Sequence, residues 1–278
     1  MTMRQLPDYD DLPSFRGIPG CAWDVWGKGD ELGTVNLLTN TVVQQAAREE
    51  IRTGKRVAVD LPVNFFTQPL FGRRPAEITS WVKPSDRRDE EIRINTQSSS
   101  HWTGLLHFPL PGHGVLYQGV SCSTAPVGTL NINEPGNVDP NTICLGIHGW
   151  AQHGISGRGV LLDVARHYSM AGNTPPYDPF RRYEISSATL EACARDQGVV
   201  FRPGDILLLR TGFLESDVSP LTFQMIVPMW GMPIGKLFNL DVLSEHCAEA
   251  SRYTFFFSSW PINVLGGVAS PPNAMAIF

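Results

Sequence analysis

His101 and His107 stand six residues apart in QSSSHWTGLLHF, residues 97–108, with Thr103 between them where a carboxylate would complete the set. Side chains alternate along an extended backbone, so positions of equal parity share a face. Gln97, His101, Thr103 and His107 are all odd-numbered. If the stretch is extended, two imidazoles, a hydroxyl and an amide line one wall, and Trp102 and Leu106 face the other side. Leu105 shares the polar parity, and Gly104 is placed to break the regularity. Imidazole titrates near neutrality without help, so the pair could serve as general acid and general base. It could also hold a metal, but a divalent ion usually takes at least three good ligands, often including a carboxylate. Glu90 and Glu91 lie too early to reach the same patch. The plainer alternative is that both histidines bond the backbone.

Other candidates each carry two readings. His153 and Arg158, in QHGISGRG, are anion or carbonyl binders at a glycine-rich turn, or they hold that turn through backbone bonds. GISGRG precedes a strand rather than following one, which excludes the dinucleotide-binding order of strand, turn and helix. Asp163 is an orienter for a histidine or a structural hydrogen-bonding group. Ser98, Ser99 and Ser100 lack a nucleophile elbow and read as turn formers. His113, in LPGHGVLY, sits at a loop tip, solvated or part of a lid. Trp23, Trp26 and Trp102 line a pocket or pack a core.

The elements that must position these residues follow from pattern. NTVVQQAAREEI has helical spacing, with Thr39 or Asn40 as cap and Gly54 as stop. RVAVDLPV reads as a strand, as does the first half of EIRINTQSSSHWTGLLHF. GRGVLLDV, 157–164, is a buried strand, and SSATLEACARDQG, 186–198, is a helix with a serine cap and a glycine stop. FRPGDILLLRTGF holds an apolar run suited to a strand buried on both faces. NLDVLSEHCAEASRY is helical and TFFFSSWPINV is a strand. Helices and strands interleave, so the class is α/β. Residues 1–38, rich in Pro, Gly and Trp, read as an irregular arm ahead of one domain over 39–278.

Composition narrows the function. The chain has 278 residues and a net charge of −5, with no run of Lys or Arg. That argues against nucleic acid as a partner. Five cysteines at wide spacing, with no CxxC pair, argue against a disulfide framework or structural zinc. No apolar run approaches the roughly 20 residues of a membrane span. The N-terminus lacks the order of a signal peptide. The expectation is a soluble, cytoplasmic protein acting on a small molecule.

Six segments then carry a resemblance: WGKGDELGTVNLLT (26–39), INTQSSSHWTGLLHF (94–108), QHGISGRGVLLDV (152–164), FRPGDILLLRTGF (201–213), IVPMWGMPIGKLFNL (226–240) and FFFSSWPINVLGGVASPPNAMAIF (255–278). In this order they resemble the cyclase, or kynurenine formamidase-like, metal-dependent hydrolases, in a longer branch found in fungi and bacteria. The resemblance implies an α/β fold with a central mixed or barrel-like sheet flanked by helices, a small-molecule substrate and a homo-oligomer. It also implies hydrolysis of an amide or lactone by one or two divalent metals. The family signature is His-x-Gly-Thr-His-x-Asp with a further His four residues on. Its positions fall here on Gln97, His101, Thr103 and His107. A downstream His and Glu of the family fall near Phe223 and at Lys236. The family also carries some fifty residues after RTGFLESD that this chain lacks, normally a helix and a strand. Either the fold closes without them after residue 217, or the chain derives from a shortened gene model.

The resulting expectation is an enzyme of specialised metabolism without a tightly bound metal, catalysing cyclisation, isomerisation or dehydration. His101 and His107 would do the acid–base work, Gln97 and Thr103 would hold a substrate oxygen, and Lys236 would stabilise an oxyanion. Trp102, Lys236, Phe223, His153 and Arg158 are the expected substrate contacts. One alternative is a zinc- or manganese-dependent amide or lactone hydrolase on His101, His107 and Gln97. Another is a catalytically inactive binding subunit.

Overall fold

The computed structural model describes residues 6–130, 132–170, 172, 175–177, 184–212 and 220–278, and for 220–224 the backbone only. Phe223 and the point after residue 217 where a helix and strand were expected to be missing thus lie outside the described side chains or residues.

The strands are β1 (Arg56–Ala58), β2 (Glu77–Val82), β3 (Arg88–Arg93), β4 (His101–Thr103), β5 (Ile155–Asp163), β6 (Ile206–Arg210), β7 (Ile234–Lys236), β8 (Thr254–Ser259), β9 (Ala269–Ser270) and β10 (Ala274–Ile277). The helices are α1 (Asn40–Glu50), α2 (Pro140–Ile143), α3 (His148–His153), α4 (Val164–Met170), α5 (Ser187–Asp196), α6 (Pro220–Trp230) and α7 (Asp241–Glu249). The central sheet has the order β1-β10-β8-β5-β6, antiparallel except for the parallel β5–β6 pair. The sheet is therefore mixed and flanked by helices, as expected for the α/β class. A second sheet, β7-β4-β9, is wholly antiparallel. β2 and β3 form a separate hairpin.

Local signals explain much of this. The Thr39 hydroxyl accepts from Val42 N at 3.3 Å and caps α1. The Ser186 hydroxyl accepts from Thr189 N at 3.2 Å and caps α5. Gly198 adopts φ +65° just beyond α5, the left-handed conformation that glycine tolerates at a helix end. α1 ends earlier than expected: Ile51 is already extended, and Gly54 lies beyond the last turn.

Every residue of β5 is buried, as the apolar run GVLLD requires of a central strand. A Cβ at Gly159 would come within 2.3 Å of the Phe255 ring, so only glycine lets β8 pack there. β6 corrects the expectation of a strand buried on both faces. It forms the edge of the sheet, and Leu207 is 46% exposed. The main core gathers Tyr117, Trp150, Phe255, Phe257 and Phe278. All five cysteines are unpaired thiols. Residues 6–39 hold two short 3-10 turns and a lone Phe15–Ile18 bridge, with no α-helix or strand. Among the described residues no helix is long and apolar enough to cross a membrane.

Candidate active site

β4 lies between β7 and β9, and its register sets the site. His101 is paired with Lys236, Trp102 with Gly235 and Ser270, and Thr103 with Ile234 and Ala269. Directly opposed residues of an antiparallel pair present their side chains on the same face, about 5 Å apart at Cβ. Lys236 therefore stands beside His101, and Thr103 lies two residues on along the same face. Both His101 and Thr103 are buried.

The extended wall expected over 97–107 exists only at 101–103. Beyond it, His107 N donates to Gly104 O at 3.1 Å and folds the chain back. Before it, Asn95 organises a turn: its side-chain oxygen accepts from Gln97 N and its carbonyl from Ser98 N. The two turns bring Gln97 to His107, with Gln97 Nε2 3.1 Å from His107 Nδ1.

This contact has a direction. Arg73 donates to the Gln97 carbonyl at 2.9 Å and to Gln97 Oε1 at 2.5 Å. A guanidinium only donates, so the Gln97 amide oxygen must face Arg73 and its NH2 must face His107. Gln97 Nε2 then donates to His107 Nδ1, and the proton of neutral His107 sits on Nε2. His101 has the opposite arrangement. Its Nδ1 lies 2.7 Å from Ser99 O, an acceptor, so Nδ1 carries the proton and Nε2 presents a bare lone pair. That Nε2 and the Thr103 hydroxyl oxygen are buried without a hydrogen-bond partner. Buried polar atoms of this kind are uncommon away from functional sites.

Both rings are held neutral. Burial takes His101 down to about 3, against a partly opposing bond from Ser99, and the charges of Arg73 and Lys236 and the His107 ring push the same way as burial. Burial takes His107 down to about 4, with Lys236 and then Arg73 adding to it. His107 packs edge-on against Phe108 at 4.3 Å, and Lys236 Nζ lies 5.3 Å above the Phe108 ring. The serines support the platform: Ser99 donates to Pro62 O at 2.8 Å, and Ser100 links Leu61 N to Leu237 O.

These residues do not fit a divalent metal. His101 Nε2 is a suitable donor, but His107 Nδ1 is engaged by Gln97 and Thr103 offers a neutral hydroxyl. Among the described residues no group of three His, Cys, Asp or Glu is placed to hold a metal ion. The Lys236 ammonium faces His101 across the β4–β7 pair, and two cations near each other repel strongly in a partly desolvated site.

Several expected site residues lie elsewhere. Trp102 points to the opposite face of β4, where its Nε1 donates to Ser259 Oγ at 2.8 Å and its ring packs on Phe238. It belongs to the core rather than to the face that carries His101. Arg158 is buried against Glu50 at 3.1 Å and Asp205 at 2.8 Å, and donates to Val200 O. It clamps α1 to the sheet and has no surface to offer a substrate. His153 is exposed at the end of α3, its Nδ1 2.9 Å from Gly154 O. Asp163 orients no histidine; it joins Arg210, Ser244 and the N-terminus of α4. His113 packs on Phe15. Arg73 was not anticipated. Nothing in its local spacing marks it, because a strained loop delivers it: Phe71, two residues earlier, has φ +57°, rare for a bulky side chain.

The fold is that of a known class. The cyclase family's sequence profile matches residues 38–238, and the chain belongs to that family. A solved structure described as a novel cyclase is similar at 25% identity and TM-score 0.76, covering 93% of this chain and 99% of its own. Isatin hydrolase A from Labrenzia aggregata, bound to benzyl benzoate, matches at 13% identity and TM-score 0.47, covering 85% of this chain and 97% of its own. Isatin hydrolase A from Ralstonia solanacearum matches at 13% and 0.46, covering 86% and 97%. A search of curated proteins finds no match.

Proposed function

We propose that this chain is a small-molecule enzyme that performs acid–base cyclisation, isomerisation or dehydration without a tightly bound metal. One arrangement carries the reading: the hydrogen-bond partners of His101 and His107 call for opposite tautomers, with a bare Nε2 on His101 and a proton on Nε2 of His107.

In this reading a substrate carbonyl accepts from His107 Nε2–H, and its neighbouring C–H meets His101 Nε2. The proton passes from carbon to His101, and the bonding pair moves into the carbonyl as an enolate. Neutral imidazole can act as such an electrophile. Lys236 stabilises the oxygen as it becomes negative. The enolate then closes a ring on a second electrophile, is reprotonated elsewhere, or expels a hydroxyl as water, with His101 returning the proton in each case. In the resting site His101 is a weak base, first because it is buried and then because Arg73 and Lys236 add positive charge. Negative charge on the substrate relieves the part that the two cations contribute.

A second reading is hydrolysis of an amide or lactone with bound zinc or manganese, as the family resemblance implies. The bare Nε2 of His101 favours it, since that lone pair is also a metal donor. A homo-oligomer is part of the proposal on the strength of the resemblance, and a cytoplasmic place in specialised metabolism is part of it as a reading of the sequence.

The test is deuterium wash-in. Purified protein treated with chelator is incubated in D2O with a panel of 1,3-dicarbonyl compounds, and exchange is followed by NMR. Catalysed exchange that His101→Ala removes supports the reading. Exchange that appears only after adding zinc or manganese supports the hydrolase reading instead.

A further inference from the structure

Five arginines among the described residues are buried or half-buried: Arg73, Arg158, Arg166, Arg210 and Arg252. Four of them meet a carboxylate. Arg158 pairs with Glu50 and Asp205, Arg166 with Asp163, Arg210 with Asp163 and Asp241, and Arg252 with Glu50. Arg73 pairs with none of the described carboxylates. Its two polar contacts are both to neutral Gln97 oxygens, and its third neighbour is the Phe71 ring at 5.1 Å.

A partly desolvated guanidinium without a counter-ion is costly. Burial lowers the Arg73 pKa, which registers that cost. Three of its five N–H groups remain beyond the two spent on Gln97. The second charge at this site has the same sign, since Lys236 faces His101 across the β4–β7 pair. Both cations act on the His101 and His107 rings, and His101 Nε2 and Thr103 Oγ1 are buried and unpartnered. The apolar surfaces at this rim are rings. Phe71 is 77% exposed beside Arg73, and Phe108 lies under Lys236.

We infer that Arg73 and Lys236 form the recognition site for an organic carboxylate, the negatively charged end of the substrate. A carboxylate takes the planar donor pairs of a guanidinium well, and a single negative charge with an apolar body suits two cations set between aromatic rings. The rings give an inorganic phosphate nothing to pack against. The inference rests on the acid–base reading for the chemistry after binding. Binding itself requires no turnover, so the two can fail separately.

Isothermal titration with benzoate, benzamide and inorganic phosphate tests it, on the wild-type chain and on Arg73→Gln, Arg73→Lys and Lys236→Gln. Benzoate should bind saturably and benzamide much more weakly. Arg73→Gln should weaken benzoate by about tenfold or more, the loss of one hydrogen bond to a charged group. Arg73→Lys should retain part of the affinity, and Lys236→Gln should lower it. If Arg73→Gln does not fold, as read by thermal unfolding, Arg73→Lys and Lys236→Gln carry the comparison. The inference is overturned if benzamide binds as tightly as benzoate, if the folded variants bind benzoate unchanged, or if phosphate displaces benzoate at equal strength.

Discussion

His101 and Lys236 are cross-strand partners in the β4–β7 pair, so an imidazole and an ammonium share one face of the small sheet. The relationship gives the site its chemical character. In the proposed chemistry the ammonium opposes a divalent ion at the imidazole and stabilises a developing oxyanion.

Removing either imidazole should remove turnover and leave the fold. On a substrate identified by deuterium wash-in, His101→Ala and His107→Ala should each lower kcat by about 10²- to 10⁴-fold, the usual span of general acid–base catalysis. Circular dichroism should match the wild type. Unchanged kcat in both variants would end the acid–base account.

Restoring the charge pattern of a metal site should create metal affinity. The variant carrying Gln97→His, Thr103→Asp and Lys236→Glu replaces an ammonium by carboxylates around His101 and His107. Calorimetry with zinc should show stoichiometric binding in the variant and none of comparable strength in the wild type. Equal binding by both would mean that Lys236 does not control the site.

Acid should destabilise the chain through its two site histidines. Unfolded histidine titrates near 6.5, and burial holds His101 near 3 and His107 near 4 in the folded chain. The folded pKa values are depressed, so the unfolded state binds more protons between these limits. The contribution to stability is complete above pH 6.5, falls as pH drops through the window from about 6.5 to 3, and levels off below it. Replacing His101 by Gln should flatten part of the slope in urea midpoints measured across that range. An identical slope in the variant would contradict the depressed pKa.

Arg158 should matter for stability alone. Arg158→Met takes from Asp205 its ion-pair partner and leaves Glu50 with Arg252 alone. The cost should be about 3–5 kcal/mol in urea unfolding, as for a broken buried ion pair. Benzoate binding by the folded fraction should not change. A variant that keeps its stability and loses benzoate would return Arg158 to the site.

The legible parts of this chain were those set by nearby residues. Thr39 and Ser186 caps, the apolar run of β5 and the His101–Thr103 parity are local properties, and each is found in place. The exposure of β6 is a matter of topology, since the same apolar run reads alike at the centre or the edge of a sheet. The meeting of Gln97 with His107 depends on two turns that break the strand period. Arg73 arrives from a loop that no periodicity describes, 24 residues before Gln97. Lys236 was marked by family resemblance, but its pairing with His101 is a register between segments far apart in the chain.

The most direct measurement is the metal content of the chain purified without chelators, by plasma mass spectrometry, alongside its wash-in activity. Far less than one equivalent of zinc or manganese is expected, with activity that survives chelation. One metal per chain, with activity lost to chelator and restored by the ion, would contradict it.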